Sequence, residues 1–187
     1  MLRTRSNGPG PLTPTQVLWE RMNALVRRAN LRRLAVSLGV TAALTLVLFG
    51  LVLGAGLVSG KSMQPSFQDK DIVLFSRLGK CGRHDVVIVR TDSGLIRKYV
   101  KRVIGMPGDT VDIGENGVTI NGEALDVPCA VGATRDTGAL RYPMKLGEGE
   151  YFVLGDNREN SKDSRVLGAV KEDQIEGRVI AVLRTNR

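Results

Sequence analysis

The chain has 187 residues, of which 42% are hydrophobic and 25% charged, and this length predicts one folded domain with appendages. Its formal net charge of +8 comes mostly from residues 1–33, which hold seven arginines, no lysine and one acidic residue. Residues 61–187 carry 20 basic and 18 acidic residues, and this near balance argues against a nucleic-acid-binding surface, which gathers Lys and Arg in one place.

The N-terminal third of the chain predicts a membrane anchor. Residues 1–14 are rich in Gly and Pro and are predicted to be disordered, and residues 15–33 indicate a short basic helix. The stretch 34–60 contains no charged residue, and a bilayer core about 30 Å thick needs roughly 20 apolar residues in helix. A cleaved signal peptide is the alternative, but its apolar run is only roughly 7–15 residues long.

The arginines flanking the apolar stretch predict its orientation. Several of them lie on its N-terminal side and none on its C-terminal side until the domain begins, so the positive-inside rule assigns the N-terminus to the cytoplasm. We therefore predict a single-pass protein of the cell membrane, in contact with lipid. Its predicted parts are a cytoplasmic basic tail (1–33), a transmembrane helix (34–58) and an extracytoplasmic β-rich domain (59–187).

After the apolar stretch, the pattern changes to short β signals rich in Val and Ile and bounded by Gly, Asp, Asn and Pro. Asn121 and Gly122 follow one of these signals and predict a hairpin turn. The stretch from Asp126 to Gly149 is irregular and is expected to be a loop or an insertion. The fold class is therefore mainly β, as a barrel or a folded sheet. The candidate strands are Ile72–Phe75, Val86–Arg90, Leu95–Ile104, Val118–Ile120, Tyr151–Leu154 and Arg178–Leu183.

Two cysteines, Cys81 and Cys129, leave two interpretations open, a disulfide outside the cytoplasm or two free thiols. Two separated cysteines and a single histidine do not form a zinc site. The acidic segment near residue 156 lacks the spacing of an EF-hand calcium loop. We therefore predict no metal and no cofactor.

Three segments carry side chains suited to catalysis. The first is 59–67 (SGKSMQPSF), directly after the apolar stretch, and the second is 99–109 (YVKRVIGMPGD). The third is 155–165 (GDNRENSKDSR). On local pattern alone, a serine after a glycine-rich helix end is a turn or cap residue, and a lysine in a strand is an exposed charge.

A serine nucleophile needs a base, and the chain offers two candidates. His84 is the single histidine, and its position in a turn favours a surface role. Lysine can replace histidine, but only as the neutral amine, so burial must lower its pKa from about 10.4. Lys101 shares a strand face with Tyr99 and Val103, an apolar setting, whereas Lys98 and Arg102 point the other way.

The three segments together resemble the type I bacterial signal peptidases, the serine–lysine family of leader peptidases. The resemblance covers the anchor and essentially the whole outer domain, and it implies a signal-peptidase-like β domain behind one membrane helix. It implies that Ser62 is the nucleophile and Lys101 the general base, and that Ser161 hydrogen-bonds the lysine. It further implies a supporting ion pair of Asp163 and Arg165.

Two positions near the nucleophile receive less specific assignments. Gly60 stands where some members of the family have a serine that contributes to the oxyanion hole, so the Ser62 N–H is the expected principal donor. Met63 is expected to pack in the core or against the membrane.

The resemblance implies an endopeptidase that removes signal peptides from exported preproteins through an acyl-enzyme. We expect the protein to be a monomer. Its substrates would carry small residues one and three positions before the cut. Two alternatives remain open, a Ser/Lys protease with a narrow client set and a catalytically silent membrane-anchored binding module. A self-cleaving repressor would need a DNA-binding domain, whereas this chain has an apolar segment.

Overall fold

The computed structural model of the protein describes residues 13–91, 97–114 and 117–184. The chain divides into two compact units, Met1–Phe49 and Gly50–Arg187. The first unit is described from residue 13 onward and is helical there, and the second contains the β structure. The segment 1–14, which is predicted to be disordered, lies largely outside the described residues. The first two residues of the third candidate strand, Leu95 and Ile96, also lie outside them.

One long helix, α1, runs from Pro14 to Val52 over 39 residues. Proline is favoured in the first turn because its φ angle is already helical and its missing N–H is not needed there. No residue of this helix is buried within the structure. Its most apolar 18-residue window has a mean hydropathy of 2.3, so length and composition suit a membrane span. The basic segment 15–33 and the apolar segment belong to one continuous helix.

The predicted helix over 34–58 is too long at its C-terminal end. Helix α1 ends at Val52, and Leu53–Leu57 forms strand β1, which pairs with β2 (Ile72–Ser76). Glycine at position 54 allows this pairing, because a Cβ there would lie 2.2 Å from the Cζ atom of the Phe75 ring. The apolar composition alone did not reveal the change from helix to strand.

Arg77 stabilises this junction within the second unit. Its Nη1 donates to the carbonyls of Gly50 and Leu53 at 2.8 and 2.9 Å, and its guanidinium lies 5.5 Å from the centre of the Phe75 ring. Carbonyls in the last turn of a helix have no partner inside the helix, so this arginine satisfies groups that would otherwise need water.

The second unit contains eleven strands in its described part, so the prediction of a mainly β domain is confirmed. Two antiparallel sheets are formed, one in the order β1-β2-β11-β3-β4-β9-β10 and one in the order β7-β6-β5-β8. Register shifts in β4 and β11 interrupt the larger sheet, and such bulges bend and twist a sheet. The remaining strands are β3 (Val86–Thr91), β4 (Arg97–Gly105), β5 (Thr110–Gly114), β6 (Gly117–Ile120), β7 (Glu123–Ala124), β8 (Met144–Lys145), β9 (Glu150–Leu154), β10 (Val170–Lys171) and β11 (Ile175–Leu183). A short helix α2 (Ser164–Leu167) follows β9.

Each of the six predicted strands corresponds to one of these elements. The predicted turn at Asn121 and Gly122 is also present, since both residues have positive φ angles of 54° and 86° between β6 and β7. Sequence reasoning missed β5 and the strands β7, β8 and β10, which are only two residues long. A two-residue strand carries no alternation that a sequence could reveal.

Side chains of β3 and β4 alternate between two hydrophobic clusters. Val86, Ile88 and Val100 face the cluster that contains Val58 and Met63. The neighbouring positions face a second cluster on the other side of the sheet, formed by Val87, Val89, Val103, Tyr151, Val153 and Val170. Lys101 is directly opposite Val87 in the β3–β4 register and therefore belongs to this second face.

The two cysteines are free thiols. Cys81 is buried in the cluster with Val87, and Cys129 packs against a different cluster around the smaller sheet. Of the two interpretations left open by the sequence, the structure has the unpaired one.

We predict that Gly105→Ala destabilises the protein by about 1–3 kcal/mol, because overpacking a filled core costs this much. A Cβ at this position would lie 2.7 Å from Leu146 and 2.8 Å from Val111. Thermal unfolding of the detergent-solubilised full chain, followed by circular dichroism, measures the change. Gly114→Ala is the matched control, since no heavy atom of the described residues other than its chain neighbours lies within 4 Å of its Cβ position. Equal melting temperatures for the two variants would contradict the prediction.

Candidate active site

Ser62 and Lys101 meet although they are 39 residues apart in the chain. The Lys101 Nζ donates a hydrogen bond to the Ser62 Oγ over 2.8 Å. Lys101 comes from the middle of β4 and is only 3% exposed, whereas Ser62 lies in the turn that follows β1 and is half-buried. The structure thus brings together the two residues to which the resemblance assigns nucleophile and base.

The surroundings of Lys101 suit the neutral amine. Burial lowers its pKa from 10.5 to about 8, and this loss of hydration outweighs the nearby carboxylates of Asp163 and Asp156, which raise the pKa. The Tyr99 ring lies 5.6 Å from the Nζ and offers its face to the ammonium form. A lysine with a pKa near 8 is partly deprotonated at neutral pH, as a general base must be.

A buried ion pair organises the segment that carries Ser161. The Asp163 carboxylate receives two hydrogen bonds from the Arg165 guanidinium, 2.8 Å from Nε and 2.9 Å from Nη2. Both side chains are nearly inaccessible, so the predicted ion pair is present and is buried. Desolvation alone would raise the pKa of Asp163, but the bonds from Arg165 and from the Gly155 N–H hold it below its usual range.

Ser161 is close to the dyad but does not bond to it. Its Oγ is buried and makes no hydrogen bond to Lys101, so the bond that the resemblance implies is not formed in this structure. A loose contact of the Ser161 hydroxyl with the Asp163 carboxylate helps to lower the pKa of that carboxyl. The hydroxyl instead lies against Gly155, where an added Cβ would be 2.2 Å from the Ser161 Oγ and 2.5 Å from the Ser62 carbonyl oxygen. Glycine at 155 is what allows these groups to approach so closely.

Gly60 and Met63 position the turn that carries Ser62. Gly60 has a φ of 95°, a conformation that favours glycine, and its N–H donates to the Asp69 carboxylate over 2.8 Å. Met63 is 2% exposed within the cluster of Val58, so it packs in the core as expected.

The backbone around Ser62 leaves a donor available. The Ser62 carbonyl accepts a hydrogen bond from the Asn157 N–H at 3.0 Å, whereas the Ser62 N–H donates to no acceptor in the described part of the chain. An N–H in this position can stabilise the negative charge that develops on a carbonyl oxygen when the Ser62 Oγ attacks the carbonyl carbon.

Sequence reasoning missed a second buried ion pair beside the dyad. The Arg102 guanidinium binds the Asp156 carboxylate in bidentate fashion, at 2.8 and 2.7 Å, and donates to the His84 carbonyl. Asp156 is fully buried. No local sequence pattern indicates this pair, because its two members are 54 residues apart in the chain. His84 itself is exposed, as its turn position predicted.

Known proteins resemble this chain over most of its length. The sequence profile of the family described as signal peptidase, peptidase S26, matches residues 31–184. A signal peptidase I from Bacillus amyloliquefaciens is 35% identical over 150 residues, which cover 74% of this chain and 77% of that protein. Signal peptidase I T from Bacillus subtilis strain 168 is 38% identical over 137 residues, covering 65% and 68%. The crystal structure of a signal peptidase I from Enterococcus faecalis V583 matches with a TM-score of 0.46 and 30% identity, covering 56% of this chain and 99% of that one.

We predict that Asp163→Asn lowers the free energy of unfolding by about 3–5 kcal/mol, because it leaves the buried Arg165 charge without its partner. The control is Arg178→Gln, which removes a more exposed pair with Asp85 (N···O distance 3.5 Å) and should cost less than about 1 kcal/mol. Denaturant unfolding of the full chain in detergent compares the two. A loss no larger for Asp163→Asn than for the control would contradict the structural role of the buried pair.

Proposed function

The chain belongs to the signal peptidase family, peptidase S26, and from this premise we propose that it removes N-terminal signal peptides from exported preproteins, with Ser62 as nucleophile and Lys101 as general base. It is a serine endopeptidase, a hydrolase. The observation that supports the dyad best is the 2.8 Å contact between the Ser62 Oγ and a buried Lys101 Nζ.

Acylation begins when the neutral Lys101 amine accepts the proton of the Ser62 hydroxyl. The Ser62 Oγ attacks the carbonyl carbon before the cut, and the Ser62 N–H stabilises the negative charge on the carbonyl oxygen. The Lys101 ammonium then gives its proton to the amine of the leaving mature protein. The C–N bond breaks, and the signal peptide remains attached to Ser62 as an ester.

Deacylation uses the same base a second time. Lys101, neutral again, takes a proton from a water molecule that attacks the ester carbonyl. The Ser62 Oγ leaves and recovers a proton from Lys101, and the signal peptide departs with a new carboxylate. One lysine therefore serves as base and acid in both halves of the reaction, and this requires a pKa close to the working pH.

The substrate is held as an added strand along β4. Strand β9 pairs with β4 only from Arg102 onward, so the part of β4 that carries Lys101 has an edge on which β9 does not lie. An extended peptide can pair with such an edge through its main chain. This pairing brings the bond to be cut beside Ser62, and Lys101 and its neighbours supply one rim of the groove.

Helix α1 is the anchor in this proposal. Arginines occupy its N-terminal half and an uncharged stretch follows, so the N-terminus lies in the cytoplasm and the catalytic unit outside. The catalytic unit then works where signal peptides emerge from the bilayer, with membrane lipid as its neighbour, and acts as a monomer.

We predict that Ser62→Ala and Lys101→Met each lower kcat/KM for a purified preprotein by at least about 10³-fold. Each substitution removes one member of the proposed Ser62–Lys101 dyad, whose two residues act together. Methionine keeps most of the volume of Lys101 and so preserves packing. Cleavage is followed in detergent with the cut mapped by mass spectrometry, and Lys98→Ala is the control, since Lys98 is on the same strand and half exposed.

Either of two results would change the proposal. An active, folded Lys101→Met enzyme would exclude Lys101 as the base. Failure of the wild type to cut any of several preproteins would favour a protease with a narrow client set or a silent binding module.

We predict that kcat/KM rises tenfold per pH unit below about pH 8 and reaches a plateau above it. The sign follows from the lowered pKa of Lys101, since below about 8 the amine is increasingly protonated and cannot accept the Ser62 proton. Initial rates between pH 6 and 10 at substrate concentrations below KM test this. A kcat/KM that continues to rise up to about pH 10.5 would mean that burial does not lower the pKa of Lys101.

A further inference from the structure

A cavity of about 270 Å³ lies directly beside the proposed base. Its walls include Val89, Tyr99 and Val153 from the larger sheet, and Leu167 of α2 contributes another wall. Lys101 is also one of the lining residues, so the cavity lies within the length of one lysine side chain of the Ser62 Oγ. The volume is sufficient for one large side chain but not for a folded partner.

The two faces of β4 differ in how much space they leave for a substrate. The face of Val100 is filled by the segment that carries the nucleophile, because Val58, Met63 and Phe67 pack there. The face of Tyr99 and Lys101 contains the cavity. A substrate side chain on the first face meets a packed core, and one on the second face meets open space.

An extended peptide presents successive side chains to opposite faces. The residue before the cut and the residue after it therefore point in opposite directions. A small residue before the cut suits the filled face, and this leaves the face with the cavity for the residue that becomes the new N-terminus.

We propose that this cavity binds the side chain of the first residue of the mature protein and that its rim selects for negative charge there. This inference rests on the proposed function. The rim carries Arg90 and Lys162, both exposed. Among the described lining residues the single carboxylate is Asp163, which is fully buried and bound to Arg165.

The substrate class is therefore a preprotein whose mature part begins with Asp or Glu. The Arg90 guanidinium donates to the Asp173 carbonyl, which holds it at the rim without neutralising its charge. Lys162 makes no ion pair with a described residue, so its ammonium is available to an incoming carboxylate. Each exposed pair of opposite charges changes an equilibrium by up to about fivefold, and the same charges disfavour a cationic residue.

The test uses one preprotein with Asp, Ala or Lys directly after the cut site, and measures kcat/KM for the full-length enzyme in detergent. We expect wild type to cleave the Asp substrate about three- to tenfold faster than the Lys substrate, with Ala between them. In Lys162→Glu the Asp-to-Lys ratio falls to about one or below. Lys145→Glu makes the same charge change at an exposed site that does not line the cavity and leaves the ratio unchanged.

The ratio is measured within each enzyme, so a general loss of activity in a variant does not affect it. A wild-type ratio near one, or a ratio that shifts equally in Lys162→Glu and Lys145→Glu, overturns the cavity assignment and leaves the proposed function standing. Absence of cleavage for all three substrates overturns the proposed function and this inference with it.

Discussion

A lysine acts as a base near neutral pH only when the folded protein keeps its amine away from water, and the rest of this site depends on that constraint. Lys101 achieves it from the middle of a sheet, with Val87 and Val103 on the same face and Ser62 at its tip. Burial without compensation would be costly, since a lone amine in an apolar setting loses its hydration. The Ser62 hydroxyl and the Tyr99 ring replace part of the interaction that the Lys101 amine would have with water.

The second requirement is that the carboxylates near Lys101 must not restore its charge. Asp156 and Asp163 both raise the pKa of the lysine, yet each is bound by its own arginine, Arg102 or Arg165. The two ion pairs also fix the loop between them, and the Asn157 N–H in that loop holds the carbonyl of Ser62. One loop therefore sets both the electrostatic environment of Lys101 and the position of Ser62. Such pairs contribute more to geometry than to net stability.

Features of the site that depend on consecutive residues could be predicted from the sequence, and features that depend on residues far apart in the chain could not. Alternation within β4 correctly grouped Lys101 with Tyr99 and Val103, because that pattern is visible in five consecutive residues. The Arg102–Asp156 pair joins residues 54 positions apart, and no local sequence pattern predicts it. The end of α1 was missed for the same reason, since the need for glycine at position 54 comes from Phe75, a residue of another strand. The close approach of Ser161 to the turn of Ser62, a residue of another segment, likewise depends on Gly155.

Strand β1 follows α1 directly, so the stretch of chain between the end of α1 and Ser62 is short. Only nine residues, 53–61, separate the last helical residue from Ser62, and five of them are committed to a strand. A fully extended chain of this length spans at most about 34 Å. If α1 crosses the bilayer as proposed, this short connection limits how far from the membrane surface Ser62 can reach a peptide bond. A susceptible peptide bond far from the membrane surface stays uncut because the catalytic serine cannot travel to it, whatever its sequence. Part of the selectivity would then be set by distance, and it would be lost when the catalytic unit is released from its helix.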